Sequence, residues 1–504
     1  MSRIFQFALS IQSLLLLSLL FVFSSSLFAQ QSDWNESTMK EDRPLFSEHF
    51  TPEEFSERRN KVYDAIGQDG IAILQGAPSP VGYLDFRQNN EFYYLSGIES
   101  PDAYLILNGQ SREATIYLYN RKERREYGEG KILSFEDADL VKELSGIENV
   151  GSYSDLLNDL KSLNESTKIS TAFTPHSPYE EVAMTRSMAN RHIVDMKANP
   201  LDTRLSRHQN FIQEVREIAP DLKVKDLDPI IDELRKIKSE KELELIRRST
   251  RLQAEVIMES MKSTEPGVKP YELEAVSKYI YWKHNIQDDA YYPLIHVGPD
   301  AYMNHYHNSE RTAKAGDMIL MDYGAYDRYY SSDLGRMWPV NGTFNPVQRE
   351  LYSFYLKLYE AILYNIKLGL TPQQVMQNAL KEIDVILEEH KFSKPLYQKA
   401  AEEFVAGYHE RAENPNMRLG HGVGMSVHDV GDYAQPIEPG MVFVIEPQFR
   451  VPEERIYIRL EDMIIATENG VEIFSDFLPR DIESIEKLMQ KEGLLQKNPI
   501  SIDN

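Results

Sequence analysis

Apolar runs that end on, or enclose, an acidic residue constrain this chain more than any other feature. Met441-Val442-Phe443-Val444-Ile445 leads into Glu446, Met318-Ile319-Leu320-Met321 ends in Asp322, and Ile456 to Ile464 alternates so that Arg459 and Glu461 point the same way. Burying a lone carboxylate costs several kcal/mol, so acids placed like this need cations beside them.

Asp333 follows Asp322 by eleven residues, beyond the turn-like Tyr323-Gly324-Ala325-Tyr326-Asp327. A hairpin of this length brings both carboxylates to one face, although the pair taken alone reads as turn or capping aspartates. Further on, Gly420-His421-Gly422-Val423-Gly424 precedes Ser426-Val427-His428-Asp429. Two histidines seven apart would share a helix face, but three glycines make a helix expensive, and an extended, close-packed segment is expected. A pair of satisfied core histidines is the competing reading. Two divalent ions would balance four carboxylates set beside one histidine, and an oxygen-rich site of that kind suits manganese or cobalt better than structural zinc.

Composition removes other chemistries. The 504 residues include no cysteine, which excludes disulfides, iron-sulfur sites, zinc fingers and thiol catalysis. With 55 Lys and Arg against 79 Asp and Glu, the net charge of −24 would repel a phosphate backbone, so no nucleic-acid partner is expected. His409-Glu410 is followed by Arg411-Ala412-Glu413 rather than completing a zinc-binding pair, and no Gly-x-Ser-x-Gly elbow occurs.

Arg3, the apolar stretch Ile4 to Phe23 and the small residues up to Ala29 form a signal peptide over residues 1–29, which implies export to the periplasm or the medium. A retained anchor is the alternative, since the stretch approaches the ~20 residues a span needs; after cleavage no stable membrane span is expected. Residues 30–45 are polar and expected to be disordered. Short strand-like runs, Gly70 to Leu74 and Ala103 to Leu107, alternate with helical patterns at Pro52 to Ala65 and Asp155 to Leu163, giving an α/β domain over 46–225. A linker over 226–238 leads to the capping box Ser239-Glu240-Lys241-Glu242 and a long amphipathic helix that ends at Glu265-Pro266-Gly267. This helix opens a second domain over 239–490, with a tail over 491–504.

At these residues the sequence resembles the pita-bread metallopeptidases, in their aminopeptidase P and prolidase branch. The family's ligand order Asp, Asp, His, Glu, Glu is matched at Asp322, Asp333, His421, Glu446 and Glu461, and its N-terminal domain at Phe86-Arg87-Gln88, Phe92 to Gly97 and Pro101-Asp102-Ala103. The resemblance implies an α/β N-terminal domain followed by an α+β pita-bread catalytic domain with a curved antiparallel sheet. It implies two divalent metal ions, manganese foremost, with Asp322 on one, His421 and Glu446 on the other, and Asp333 and Glu461 bridging. His305 matches a substrate-side histidine, His428 one that stabilises the tetrahedral intermediate, Glu446 a proton shuttle and Arg459 an arginine that holds ligand carboxylates. The activity implied is release of the N-terminal residue from peptides with proline second. A homo-oligomer, dimer or tetramer, is compatible with the resemblance.

Two departures stand out. Many relatives have a histidine where this chain has Met417, and Glu446-Pro447 continues as Gln448-Phe449-Arg450. An Xaa-Pro dipeptidase is the nearest alternative. It must recognise a free carboxylate beside proline, and the stretch from Asp429 to Ile445 contains no Lys or Arg. Methionine aminopeptidases usually lack the matching N-terminal domain, and a silent binding protein on this fold would typically have lost ligands that are all present here.

Overall fold

The computed structural model describes residues 49–498, apart from 83, 181–184, 287 and 309. The signal peptide expected over 1–29 and the polar segment 30–45 lie outside the described residues. Thr51 starts the helix Pro52–Ile66 by accepting from the Glu54 N–H, with proline in the first turn where no intrahelical donor is lost. Phe55, Val62 and Ile66 on its buried face join the core over a six-stranded sheet.

That sheet contains β1 (Gly70–Gln75), β2 (Tyr104–Asn108), β3 (Glu113–Leu118), β4 (Asn149–Ser152), β5 (Thr171–Thr174) and β6 (Lys223–Asp226), in the order β4-β3-β2-β1-β5-β6. Its centre, β3-β2-β1, is antiparallel, while β4, β5 and β6 add in parallel. Helices cover both faces, which is why β1 is continuously apolar rather than alternating.

Residues 226–238 are folded rather than slack. They contain the helix Asp228–Lys236, and Arg235, Lys236 and Lys238 are buried. Ser239 then caps the helix Glu240–Lys262 through the expected box: the Ser239 N–H donates to Glu242 at 2.9 Å, and Ser239 Oγ accepts from the Glu242 N–H at 3.3 Å.

The second domain holds β7 (Asp288–Asp289), β8 (Leu294–Val297), β9 (Met318–Tyr323), β10 (Ala325–Asp327), β11 (Tyr330–Ser331), β12 (Leu334–Pro339), β13 (Val442–Ile445), β14 (Gln448–Val451), β15 (Ile456–Arg459), β16 (Asp462–Thr467) and β17 (Gly470–Ile473). They pair antiparallel as β12-β9-β8, β13-β16-β17, β11-β10-β7 and the hairpin β14-β15. The run Ile456 to Ile464, read from sequence as one alternating strand, changes partners midway: β15 pairs with β14, β16 with β13, and Leu460 and Glu461 lie between.

An antiparallel bridge between Gly335 and Glu461 ties two of these pieces together. A Cβ on Gly335 would stand 3.0 Å from that of Glu461, so the missing side chain is what permits the approach. Helices Pro346–Tyr364, Pro372–Glu389 and Pro395–Ala412 pack in succession against one another. The buried Tyr355 hydroxyl links the first of them to the strands, donating to the Pro447 carbonyl at 2.7 Å and accepting from the Leu460 N–H at 2.8 Å. An α/β domain followed by an α+β domain of antiparallel strands is thus the fold. No helix among the described residues is long and apolar enough to cross a membrane.

Candidate metal centre

Asp322 lies on β9 opposite Gly335 of β12, and Asp333 stands one residue before β12, so the antiparallel pairing delivers both carboxylates to one place. Glu446 follows β13 directly, and Glu461 sits where the chain changes partners. The segment around His421 runs beside β13, with the Val444 N–H donating to the His421 carbonyl at 3.0 Å and the Val423 N–H to that of Val442 at 3.0 Å. Its glycines are obligatory: a Cβ on Gly420 would fall 2.0 Å from the Val444 carbonyl oxygen, and one on Gly422 2.1 Å from the Tyr433 ring.

As the glycine pattern predicts, residues 421–423 are extended, with Gly422 bridging to Phe443, and the chain folds back only beyond them, over 424–428. Gly422 bridges to Asp429, whose N–H donates to the Gly422 carbonyl at 2.8 Å, and the His421 and His428 rings stack with centroids 3.7 Å apart. The missing side chains are what allow the backbone to pack on itself here: a Cβ on Gly424 would fall 2.1 Å from the Asp429 carboxylate.

These elements bring all five expected ligands together. Atoms of Asp333, His421 and Glu461 suited to hold a metal lie within 4.8 Å of one another. His421 Nε2 is 3.5 Å from Asp333 and 3.7 Å from Glu446. Arg459 connects the rest, reaching Asp322, Glu461 at 2.9 Å and Glu446 at 3.2 Å.

Charge balance tests whether a metal fits here. Burial first, then Asp322, pushes Asp333 well above the ordinary carboxylate range; burial and then Asp333 do the same to Glu461. Burial also works against ionisation of Glu446, but Arg459 and then His421 outweigh it and lower its pKa. Glu461 Oε1 is buried without any hydrogen-bond partner. One guanidinium is therefore too little charge for four carboxylates, and an orphaned acceptor points into the cluster, as residues built around divalent cations would require.

His421 is held towards its neutral, ligating form, because burial lowers its pKa more than Glu446 raises it. His428 keeps an edge open to solvent, yet burial of the rest and then His421 push it down to about 3. His305 is exposed, on the loop after the short helical turn Gly298–Tyr302, and near enough to His428 to contribute to the lowering of that ring's pKa. Arg450 donates to the Tyr302 carbonyl at 3.1 Å and to the Asn304 side chain at 3.2 Å, while the His296 ring meets the Asn304 carbonyl at 3.1 Å. The departure Gln448-Phe449-Arg450 thus supplies an anchor for the loop bearing His305. Met417 is buried in the core.

Other partners escaped the sequence. Tyr291 donates to Asp322 at 2.6 Å and touches Asp333, with nothing local in its sequence to announce it. The buried Arg235 reaches Asp429 at 2.5 Å, Glu91 at 2.9 Å and Glu180 at 3.1 Å, and Lys238 reaches Asp429 at 3.0 Å. Ser426 donates to Glu180 at 2.6 Å and accepts from Asn90 at 3.0 Å. Asn90 and Glu180 of the N-terminal domain, together with Arg235 and Lys238 of the stretch that follows it, therefore hold the segment that carries His428 from both sides.

A largely buried set of carboxylates and a histidine held towards its neutral form, on antiparallel strands behind an α/β domain, is the arrangement of a metal-dependent hydrolase. Residues 244–468 match metallopeptidase family M24, and residues 55–171 match the aminopeptidase P N-terminal domain. The chain thus carries an M24 metallopeptidase domain and, ahead of it, an aminopeptidase P N-terminal domain. Among its relatives, the Xaa-Pro aminopeptidase of Escherichia coli is 26% identical over 458 residues, covering 87% of this chain and 97% of that protein. The mitochondrial intermediate cleaving peptidase 55 of Arabidopsis thaliana is 27% identical over 475 residues, covering 89% and 86%. Similar solved structures include an Escherichia coli aminopeptidase P variant in complex with substrate, at 25% identity and TM-score 0.69 over 88% of this chain and 98% of that one. The fold is shared also with Pseudomonas aeruginosa aminopeptidase PepP, at 24% identity and TM-score 0.69 over the same shares.

Proposed function

We propose that the chain is a dinuclear Xaa-Pro aminopeptidase, releasing the first residue of peptides that carry proline second. The observation that carries this reading is the convergence of Asp333, His421 and Glu461 within 4.8 Å, with Asp322 and Glu446 wired to them by Arg459. The names of the relatives, Xaa-Pro aminopeptidases among them, support the substrate class.

Asp322, Asp333, His421, Glu446 and Glu461 would hold two divalent ions, and the oxygen-rich donor set favours manganese. When bound, such ions supply Lewis acidity at the scissile carbonyl and a water nucleophile active at neutral pH. Glu446, held towards its ionised form by Arg459, would take a proton from the attacking water and pass it to the leaving proline nitrogen. His428 is neutral at pH 7, so its ring N–H donates to the developing oxyanion without a competing charge. Arg459 keeps three of the carboxylates in place, and the free amino end of the substrate is drawn to the acidic cluster.

Chelator-stripped protein reloaded with manganese, zinc or nothing tests this on an Xaa-Pro-Yaa tripeptide, an Xaa-Pro dipeptide and a Met-Ala-Ser peptide. Manganese-dependent release of the first residue from the tripeptide, abolished by Asp333→Asn, is the expected result. Cleavage of the dipeptide alone would make the enzyme an Xaa-Pro dipeptidase, and no cleavage with metal bound would sink the peptidase assignment. The same reading includes export by residues 1–29, which N-terminal sequencing of the mature protein checks by its start at Gln30.

A further inference from the structure

Beside the carboxylate cluster lies a cavity of about 830 Å³. Phe404, Tyr408 and Arg411 line it from the helix Pro395–Ala412, Arg418 and His421 from the following segment, and Glu446 from the end of β13. Among the described residues, Asp322, Asp333 and Glu461 do not line it. In the mechanism above Glu446 serves the leaving nitrogen, so the cavity lies on the leaving side of the scissile bond; the inference rests on that reading for its placement.

The two arginines are tied together. Arg411 lies over the Tyr408 ring, its guanidinium carbon 5.3 Å from the ring centre, and donates to the Arg418 carbonyl at 3.3 Å. No carboxylate among the described residues pairs with Arg411, and Arg418 comes no nearer to an acid than 3.9 Å, at Asp432. Glu403, the other acid on the lining, is 3.7 Å from Lys399. In a chain of net charge −24, two weakly compensated guanidinium groups thus face the cavity that contains the proton shuttle.

A peptide carries an ammonium at one end and a carboxylate at the other. The acidic cluster suits the first, and planar guanidinium groups suit the second through paired charge-assisted hydrogen bonds. A cavity of this volume is about 9 Å across, the reach of two to three extended residues. We propose that Arg411 and Arg418 form a carboxylate-selecting subsite on the leaving side, so that the preferred substrates are short peptides with a negative group just beyond the proline. The basic residue that carboxylate recognition requires is missing between Asp429 and Ile445, and here it comes from the chain before His421.

Calorimetric binding of Ala-Pro-Gly, its C-terminal amide and Ala-Pro-Asp amide to the metal-stripped chain tests the subsite apart from turnover. The manganese-loaded enzyme gives kcat and KM for the same three peptides. The free acid is expected to bind about tenfold tighter than the Gly amide, as a charge-assisted bond would give. In the R411Q/R418Q double variant this preference should fall to within twofold, with KM raised and kcat retained. Whether the Asp amide follows the acid or the Gly amide shows if a side-chain carboxylate serves as well as the chain end. Equal binding of acid and amide, or a preference that survives in the double variant, would overturn the proposal. Loss of cleavage with the binding preference intact would overturn the peptidase reading and leave the subsite standing.

Discussion

Arg459 and Glu461, two residues apart, project to the same side and meet at 2.9 Å, although the chain changes sheet partners between them. The same guanidinium also reaches Asp322 and Glu446. Its own pKa is raised well above the usual value, burial opposing and Asp322, Glu461 and Glu446 prevailing. Arg459→Met is therefore expected to lower metal affinity or activity about 10- to 100-fold, the range found when a group supporting metal ligands is lost. Arg459→Lys should fall between, since a point charge replaces a three-way fork. Metal content after dialysis and metal-binding calorimetry check both.

Removal of metal leaves four carboxylates facing one arginine and one tyrosine. The chelated protein is expected to melt several degrees below the manganese-loaded one, because a ligand at a hundred times its Kd contributes about 2.7 kcal/mol. Asp333→Asn removes one repelling charge and one ligand atom, so it should narrow the gap from both ends. Thermal scans with and without chelator provide the comparison.

Arg235 is the main cation in a buried interdomain cluster of Glu91, Glu180 and Asp429. Arg235→Leu should cost about 3 kcal/mol, the low end for breaking a buried pair, because Arg186 still reaches Glu91 and Glu180, and Lys238 still reaches Asp429. Since Asp429 follows His428 directly, kcat should drop while metal content is unchanged. Denaturation midpoints and turnover, measured on the same preparation, separate the two effects.

His208 lies partly buried beside Ser206, whose hydroxyl meets its Nδ1 at 2.8 Å. Burial, then Lys197 and His176, push its pKa down from 6.5 to about 4. The folded chain thus favours the neutral ring, and the unfolded chain takes up a proton first as pH falls. Stability from this residue is present above pH 6.5 and lost between 6.5 and about 4. His208→Gln should flatten the slope of melting temperature against pH in that window, a result that thermal scans across the window report directly.

Much of the centre could be read from the chain alone because its signals are local. A carboxylate at the end of an apolar run, as at Asp322 and Glu446, is conspicuous wherever the rest of the protein lies, and Ser239 with Glu242 announces a helix start within four residues. The strand at Ile456 to Ile464 was legible as a pattern but not as two pairings, since alternation records which face a residue takes and not which neighbour it finds. The extended, close-packed segment at Gly422 was legible from its glycines, whereas the return of the chain over 424–428 to pair Gly422 with Asp429 was not, because a sequence does not record which neighbour a strand finds.

Sequence by itself determined an α/β region followed by an α+β one, the acids at the ends of apolar runs and their need for cations, because hydrophobic periodicity and charge are written residue by residue. Tertiary structure decided which groups supply the compensation. Tyr291 lies 42 residues from Asp333, Arg235 lies 194 from Asp429, and the cavity arginines lie outside the stretch in which a carboxylate partner would be sought. Electrostatic interaction depends on distance and burial, and neither is a property of position along a chain.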